Sequence, residues 1–135
     1  MWGNNAWGQL GQSDFVHRSS PVQVPGTNWL SINVGNSATL ATKNDSTLWS
    51  WGCNTSTYAL LGDGTNINRS SPVQIPGTQW ADPHLNCYNG VARKSFIPVF
   101  YDVLGTHLWS WGFNAYGTGV IGDNTGIHRC SPVLS

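Results

Sequence analysis

The sequence predicts an all-β protein built from repeats, and three observations lead to this prediction. A phrase rich in tryptophan, glycine and asparagine begins at Trp2 and returns at Trp51 and Trp111. An Arg-x-Ser-Pro-Val block follows each copy, and the blocks recur at a spacing of 51 residues and then of 60 residues. The segments between the copies alternate apolar and polar residues, as half-buried strands do. Repeats of this length are typical of propeller and solenoid arrays.

We expect the residues that recur at matching positions to have structural roles in the repeat. Glycine adopts backbone conformations that other residues avoid, tryptophan supplies a large packing surface, and the planar guanidinium of arginine bonds carbonyl and carboxylate groups. The recurring residues are Trp2, Trp51, Trp111, Gly11, Gly62, Gly122, Arg18, Arg69, Arg129, Pro21, Pro72 and Pro132.

The first phrase, residues 2–12, is predicted to form tight turns, because its glycines and asparagines tolerate positive φ angles. We expect Trp2 or Trp7 to wedge between neighbouring units, with the indole N–H bonded to a backbone carbonyl. Pro21 opens a short alternating segment that Pro25 and Gly26 close, which indicates an edge strand followed by a turn.

Three further strands are predicted before the second phrase. Residues 29–34 alternate cleanly, residues 37–43 form the next strand, and residues 48–52 return after a hairpin turn at residues 44–46. Four short strands would complete one unit. The period-two spacing predicts a core formed by Leu30, Ile32, Val34, Leu40, Leu48, Trp49 and Trp51.

The second copy becomes irregular after Trp80. Two interpretations of Ala81–Leu104 stay open: an insertion that enlarges a loop, or a diverged stretch in which Ser95–Val103 replaces a regular strand. We favour a strand with an enlarged loop. Because insertions in repeat arrays often lie on the binding face, the candidate partner contacts are taken from this segment. They are His84, Tyr88, Arg93 and Lys94.

These motifs resemble the regulator-of-chromosome-condensation repeat. The resemblance rests on Trp-Gly-x-Asn, Leu61–Thr65, the Arg-Ser-Ser-Pro-Val block and Leu-Trp-Ser-Trp-Gly at Leu48–Gly52 and at Leu108–Gly112. It covers nearly the whole chain except the irregular segment. The family usually has His at the position of Ala38 and Gly at that of Ser46, so any role tied to that histidine is in doubt here.

The resemblance implies β-propeller blades of four short antiparallel strands, with seven blades in the best-known members. We therefore expect a single repeat array over residues 1–135, with blade-like units at about 2–50 and 51–110 and a partial unit at 111–135. Two blades and a fraction do not close a ring. We expect both ends to be open blades, with Pro132–Ser135 beginning a blade, and we expect capping by further repeats or by other subunits.

Composition bounds the function. Charged residues make up 9% of the chain and the formal net charge is +0, so the sequence predicts neither nucleic-acid binding nor attraction to an anionic membrane. It shows neither a signal peptide nor an apolar run long enough to span a bilayer, and it does not indicate a compartment.

The sequence predicts no enzyme: no catalytic, cofactor-binding or metal-ligating set is legible. Asp63 and Asp123 occupy the same repeat position, so we expect them to hold turn N–H groups or to meet Arg69 and Arg129 locally. The four histidines lack metal-ligand spacing, and no phosphate-binding loop or nucleophile elbow is present.

The function predicted is that of a non-catalytic propeller-type scaffold for protein or glycan interaction, with binding to a protein partner or self-association through open blade edges. The alternative is a structural subunit or segment of a larger assembly. The resemblance also implies a third, less favoured activity, guanine-nucleotide exchange on a small GTPase.

Overall fold

The computed structural model of the chain describes residues 1–55, 59–94, 107–114 and 121–135. These residues form two four-stranded antiparallel sheets, each with its strands in sequence order, and the described part contains no helix. The first sheet contains β1 (Trp29–Val34), β2 (Ala38–Lys43), β3 (Leu48–Gly52) and β4 (Arg69–Ile75). The second contains β5 (Trp80–Leu85), β6 (Asn89–Lys94), β7 (His107–Gly112) and β8 (Arg129–Leu134). The predicted all-β fold, with two blades that do not close a ring, is confirmed.

The sheets are offset from the sequence repeat. In each sheet, the first two strands precede a Trp-Gly phrase and the third strand ends in that phrase. The fourth strand contains the Arg-x-Ser-Pro-Val block that follows. The predicted units 2–50 and 51–110 therefore each contribute strands to the first sheet. The expectation that Pro132–Ser135 begins an open blade was wrong, because Val133 pairs with Ser110 and β8 completes the second sheet.

The N-terminal residues repeat the pairing of β3 with β4. Gly3 and Arg18 exchange two backbone hydrogen bonds, and so do Met1 and Val22. The same register joins Gly52 to Arg69 and Ser50 to Val73. Residues 1–3 with residues 18–24, named here the N-terminal strand pair, thus occupy the third and fourth strand positions of a further sheet.

The core lies between the two sheets. The first sheet contributes Leu40, Leu48 and Ile75, and the second contributes Trp80, Ala92 and Trp111, all of them buried. The predicted burial of Leu40, Leu48 and Trp51 is confirmed, and Trp49 is half-buried.

The predicted burial of the β1 side chains was wrong. Leu30, Ile32 and Val34 are 68%, 54% and 57% exposed. The alternation is real, but the N-terminal strand pair covers only the part of this face around Trp51 and leaves the β1 side chains open to an adjacent groove. In the second sheet the positions of Ile32 and Val34 are taken by Pro83 and Leu85, which are buried and half-buried because β5 packs on the first sheet.

Tryptophans of the repeat connect each sheet to the preceding loop. The indole of Trp51 donates a hydrogen bond to the carbonyl of Gln9 (2.9 Å), and the indole of Trp111 donates one to Leu60 (2.8 Å). Gly62 lies against Trp111 with φ +67°, and a Cβ there would be 2.8 Å from the indole nitrogen. Glycine is needed at this position for both reasons.

The expected wedging role belongs to Trp51 and Trp111 and was wrong for the two residues named. Trp2 is 64% and Trp7 43% exposed, and among the described residues neither indole donates a hydrogen bond to a carbonyl. The position in the repeat was right, but no loop of the described residues lies against Trp2.

The irregularity of the second copy begins later than expected. Residues 80–94 keep the 51-residue offset to the first sheet, whereas Leu108 and the residues after it are offset by 60. The additional residues therefore fall between β6 and β7. The strand predicted over Ser95–Val103 lies outside the described residues.

Candidate partner-binding site

An open groove lies between the N-terminal strand pair and the first sheet. Its volume is about 370 Å³. The residues that line it are Met1, Val22, Gln23, Val24, Trp29, Leu30, Ser31, Ile32, Ala41 and Trp51. All of these side chains are uncharged and most are apolar. Apolar surface that remains exposed and contiguous on a folded chain is typical of interaction sites.

The Trp29 indole forms the floor of the groove and is held by its neighbours. Its ring lies 5.7 Å from that of Trp51 and 6.2 Å from that of Trp49. The ammonium group of Lys43 lies over the rings of Trp29 and Trp49, at 4.8 Å and 4.1 Å. Cation–π contacts and aromatic ring packing fix these side chains, so the floor is preformed.

The loops that join the third and fourth strand positions are fixed by repeated ion pairs. Asp63 accepts a hydrogen bond from Arg69 Nε (2.8 Å), and Asp123 accepts one from Arg129 Nε (2.7 Å). Both carboxylates also accept from the N–H and hydroxyl of a threonine two residues later. The expectation that these aspartates meet turn N–H groups and arginines locally is confirmed.

An asparagine and a second acceptor, which is His17, Asn68 or His128, complete each loop, a feature that sequence reasoning missed. Asn54 Nδ2 donates to Asp63, and its Oδ1 accepts from the N–H of Leu61. The backbone N–H of Asn5 donates to His17 Nδ1 (2.9 Å), and that of Asn114 donates to His128 Nδ1 (2.8 Å). The alignment of His17, Asn68 and His128 was visible in the sequence. Their shared role as acceptors required the loop geometry.

These contacts change the ionisation of three aspartates. Burial alone would raise the pKa of Asp123, but hydrogen bonds from Arg129 and Thr125 lower it below its ordinary value. The backbone N–H of Val16 lowers the pKa of Asp14, and the hydroxyl of Thr47 lowers that of Asp45. In each case the folded chain favours the charged form.

Acid should therefore destabilise the fold. A carboxyl whose pKa is lower in the folded state stabilises the protein above its unfolded pKa of about 3.9, and that contribution is lost as pH falls toward the folded value. We expect urea unfolding to give a stability that falls as the pH drops from about 5 through 4 and below. Asp123→Asn should flatten this dependence. A stability that stays constant or rises between pH 5 and pH 3 would contradict the assignment.

Residues 1–42 match a family model described as the Regulator of chromosome condensation (RCC1) repeat. Residues 1–42 therefore resemble an RCC1 repeat. The resemblance predicted from the sequence is thereby confirmed.

Solved structures of RCC1-type proteins share the fold. Human WBSCR16 superposes with a TM-score of 0.72 at 19% identity, covering 98% of this chain and 32% of that one. Prp20p from Saccharomyces cerevisiae gives 0.71 at 22% identity, covering 98% and 33%. A structure of Kap60 bound to yeast RCC1 (Prp20) gives 0.69 at 21%, covering 98% and 32%. The chain spans about a third of the length of these solved chains.

The four partner-contact residues predicted from the sequence do not form one patch. By the strand register, His84 and Arg93 share the face of the second sheet that points away from the first, together with Leu108. Arg93 forms an ion pair with Asp82. Tyr88 lies in the β5–β6 turn, with its ring 5.9 Å from that of Phe113.

Lys94 lies on the opposite face from His84. Its ammonium group is 4.1 Å from the centre of the Trp80 ring and 5.0 Å from that of Trp109. Burial lowers the pKa of Lys94. Lys43 makes the same contacts in the first sheet, and the 51-residue spacing of the two lysines was the signal in the sequence for this packing role.

The described residues contain no group of three or more His, Cys, Asp or Glu side chains placed to hold a metal ion. Within these residues there is no helix with the length and hydropathy that a transmembrane span requires.

Proposed function

We propose that the chain is a non-catalytic RCC1-type repeat module that acts as a rigid scaffold for a protein partner. The open groove carries the proposal: apolar side chains of β1 are exposed beside a preformed tryptophan floor on a sheet whose loops are held by ion pairs. Apolar side chains beside a fixed aromatic anchor are the kind of surface on which proteins concentrate binding energy, because a bound partner removes them from water.

The solved relatives support a protein partner. The structure of Prp20p from Saccharomyces cerevisiae was reported together with its binding properties to Gsp1p and histones. Another structure contains Kap60 bound to yeast RCC1 (Prp20). This chain spans about a third of the length of those chains. We therefore propose that its partner is a protein, without naming which one. The net charge of +0 disfavours nucleic acid and anionic membrane as partners.

A second contact surface is proposed on the far face of the second sheet and its turn. His84 and Arg93 lie there beside the exposed Leu108, and Tyr88 flanks them in the turn. Lys94 would act indirectly by holding the tryptophans of that sheet. We also propose that residues 1–135 form a single repeat array.

Quantitative affinity capture with three immobilised baits tests the scaffold. The baits are the full 135-residue chain, an Ile32→Asp variant of the groove and a His84→Ala/Arg93→Ala variant of the far face. We expect a protein that binds the wild-type chain saturably, binds again after purification, and loses at least tenfold in affinity for one of the two variants.

A parallel measurement of labelled GDP release separates the scaffold from an exchange factor. Catalytic amounts of the chain should leave release from a small GTPase at its spontaneous rate. Accelerated release would replace the scaffold proposal, and the absence of any saturable protein partner would end it.

A further inference from the structure

We propose that a pocket between the turns of the two sheets binds a neutral saccharide. The pocket has a volume of about 310 Å³ and is named here the inter-turn pocket. The residues that line it include Trp7, Asn36, Ser37, Thr55, Cys87 and Tyr88. The inference goes beyond the protein scaffold, because the inter-turn pocket shares no residue with the open groove.

Contacts between the two sheets hold the inter-turn pocket in place. Residues 35–37 form the turn between β1 and β2, and the N–H of Cys53 donates a hydrogen bond to the carbonyl of Ser37 (2.8 Å). The same turn touches the β5–β6 turn, since a Cβ added at Gly35 would lie 2.9 Å from the carbonyl oxygen of Asn86. The pocket therefore lies where two complete four-stranded sheets meet.

Two aromatic side chains of the pocket are exposed on fixed loops. Trp7 is 43% exposed and Tyr88 is 50% exposed. The N–H of Trp7 donates to Gln9 Oε1 (2.9 Å), and that of Tyr88 donates to Asn86 Oδ1 (2.7 Å). The face of an aromatic ring carries partial negative charge, so it attracts the C–H groups on one side of a sugar ring. The pocket thus provides stacking surfaces whose backbones are already positioned.

Three polar side chains of the pocket retain hydrogen-bonding capacity. Asn36 is exposed, and Ser37 and Thr55 are half-buried. None of these three side chains forms a hydrogen bond with another described residue. Amide and hydroxyl groups both donate and accept, and a sugar hydroxyl requires partners of both kinds. The polar groups of the pocket therefore match the hydroxyl groups of a saccharide.

The charge of the lining distinguishes a saccharide from other small ligands. The described residues that line the pocket include no acidic, basic or histidine side chain. A phosphate or carboxylate ligand would lack the arginine or lysine that usually binds it. An apolar peptide side chain would cover the amide and hydroxyl groups without pairing them, which is unfavourable. The volume is at the lower end of the range of about 300–1,000 Å³ for small-ligand sites, which suits one or two sugar rings.

Titration of the 135-residue chain with neutral methyl glycosides tests the proposal. The probes are the methyl glycosides of glucose, galactose, mannose, fucose and N-acetylglucosamine. We expect at least one of them to bind saturably, with a Kd on the order of 1 mM, because a single stacked sugar ring makes few contacts. Nuclear magnetic resonance measures the binding from the shift of the Trp7 indole N–H signal.

Three substitutions locate the binding. Trp7→Ala removes a stacking ring and should weaken binding at least tenfold, whereas Trp7→Phe should retain most of the affinity. Thr55→Val removes one hydroxyl group and should weaken binding about two- to tenfold, the effect of a single hydrogen bond. Because the Trp7 variants lack the reporter indole, isothermal titration measures all variants, and circular dichroism verifies that each is folded.

Trp2→Ala is the matched control for the loss of an exposed tryptophan. Trp2 belongs to the same phrase as Trp7 and is 64% exposed, but it does not line the inter-turn pocket. Its replacement should change the affinity for the glycoside less than twofold.

Cys87 allows a measurement on the unaltered chain. Cys87 is exposed and lines the pocket, whereas Cys130 is half-buried on β8 and does not line it. A saturating glycoside should slow the alkylation of Cys87 by iodoacetamide at least threefold and leave that of Cys130 unchanged. Mass spectrometry of the digested chain measures both rates.

Failure of every glycoside to bind saturably would overturn the proposal, and so would equal affinity of the Trp7→Ala variant and the wild-type chain. N-acetylphenylalaninamide is the competing probe. If it binds in a manner that depends on Trp7 while all glycosides are inactive, the pocket belongs to an aromatic peptide side chain and the saccharide site is wrong. The affinity capture with the Ile32 and Arg93 variants tests the protein scaffold separately, so either proposal can fail alone.

Discussion

Replacing Trp111 with alanine should lower the free energy of unfolding by about 3–5 kcal/mol, the range for truncating a buried tryptophan. Trp111 is fully buried between the two sheets, where it packs near Trp80 and against Gly62. Its indole N–H also bonds the carbonyl of Leu60, so truncation leaves a cavity and an unpaired buried acceptor. Urea denaturation monitored by circular dichroism measures the loss.

Trp2→Ala is the matched control, since Trp2 occupies the same position in the repeat and is 64% exposed. The change at Trp2 should stay within about 0.5 kcal/mol, as for most surface substitutions. Equal losses at Trp2 and Trp111 would show that the fold around residues 1–24 differs from the one described.

Leu40→Ala should cost about 2–5 kcal/mol, the range for a leucine truncated in a packed core. Leu40 is fully buried in the interface between the sheets. The substitution should reduce the midpoint of urea unfolding without changing its slope if the sheets unfold together.

Leu30→Ala is the comparison that distinguishes the two faces of the first sheet. Leu30 is 68% exposed, so its truncation should cost no more than about 0.5 kcal/mol. A cost at Leu30 as large as that at Leu40 would mean that the β1 face is covered in solution, and the oligomeric state of the chain would then need to be measured.

The strands were predictable because their signals are local. The alternation over residues 29–34 and the Leu-Trp-Ser-Trp-Gly block placed β1 and β3 correctly, since turn residues and period-two patterns act within a few positions. The pairing of Asp63 with Arg69 was predictable for the same reason: the two lie on one loop, six residues apart.

Burial was not predictable in the same way. A period-two pattern identifies an apolar face but contains no information about whether another sheet covers it. Ile32 and Leu40 have the same apolar character and lie on neighbouring strands, yet one faces the open groove and the other faces β5. The groove was missed because it is defined by packing between segments distant in sequence. The contact residues proposed from the irregular segment remain predictions.

The tryptophan-to-loop contacts give the array a direction. Trp51 anchors the first sheet on the loop at Gln9, and Trp111 anchors the second on the loop at Leu60, so each sheet is held by the loop that precedes it in sequence. In an array with nearest-neighbour coupling, a disturbance passes along such contacts. Loosening the loop around Leu60 should therefore weaken the protection of the amide protons of β7 in the following sheet. The coupling between neighbouring sheets therefore has a direction along the chain, which the similar sequences of the repeats do not reveal.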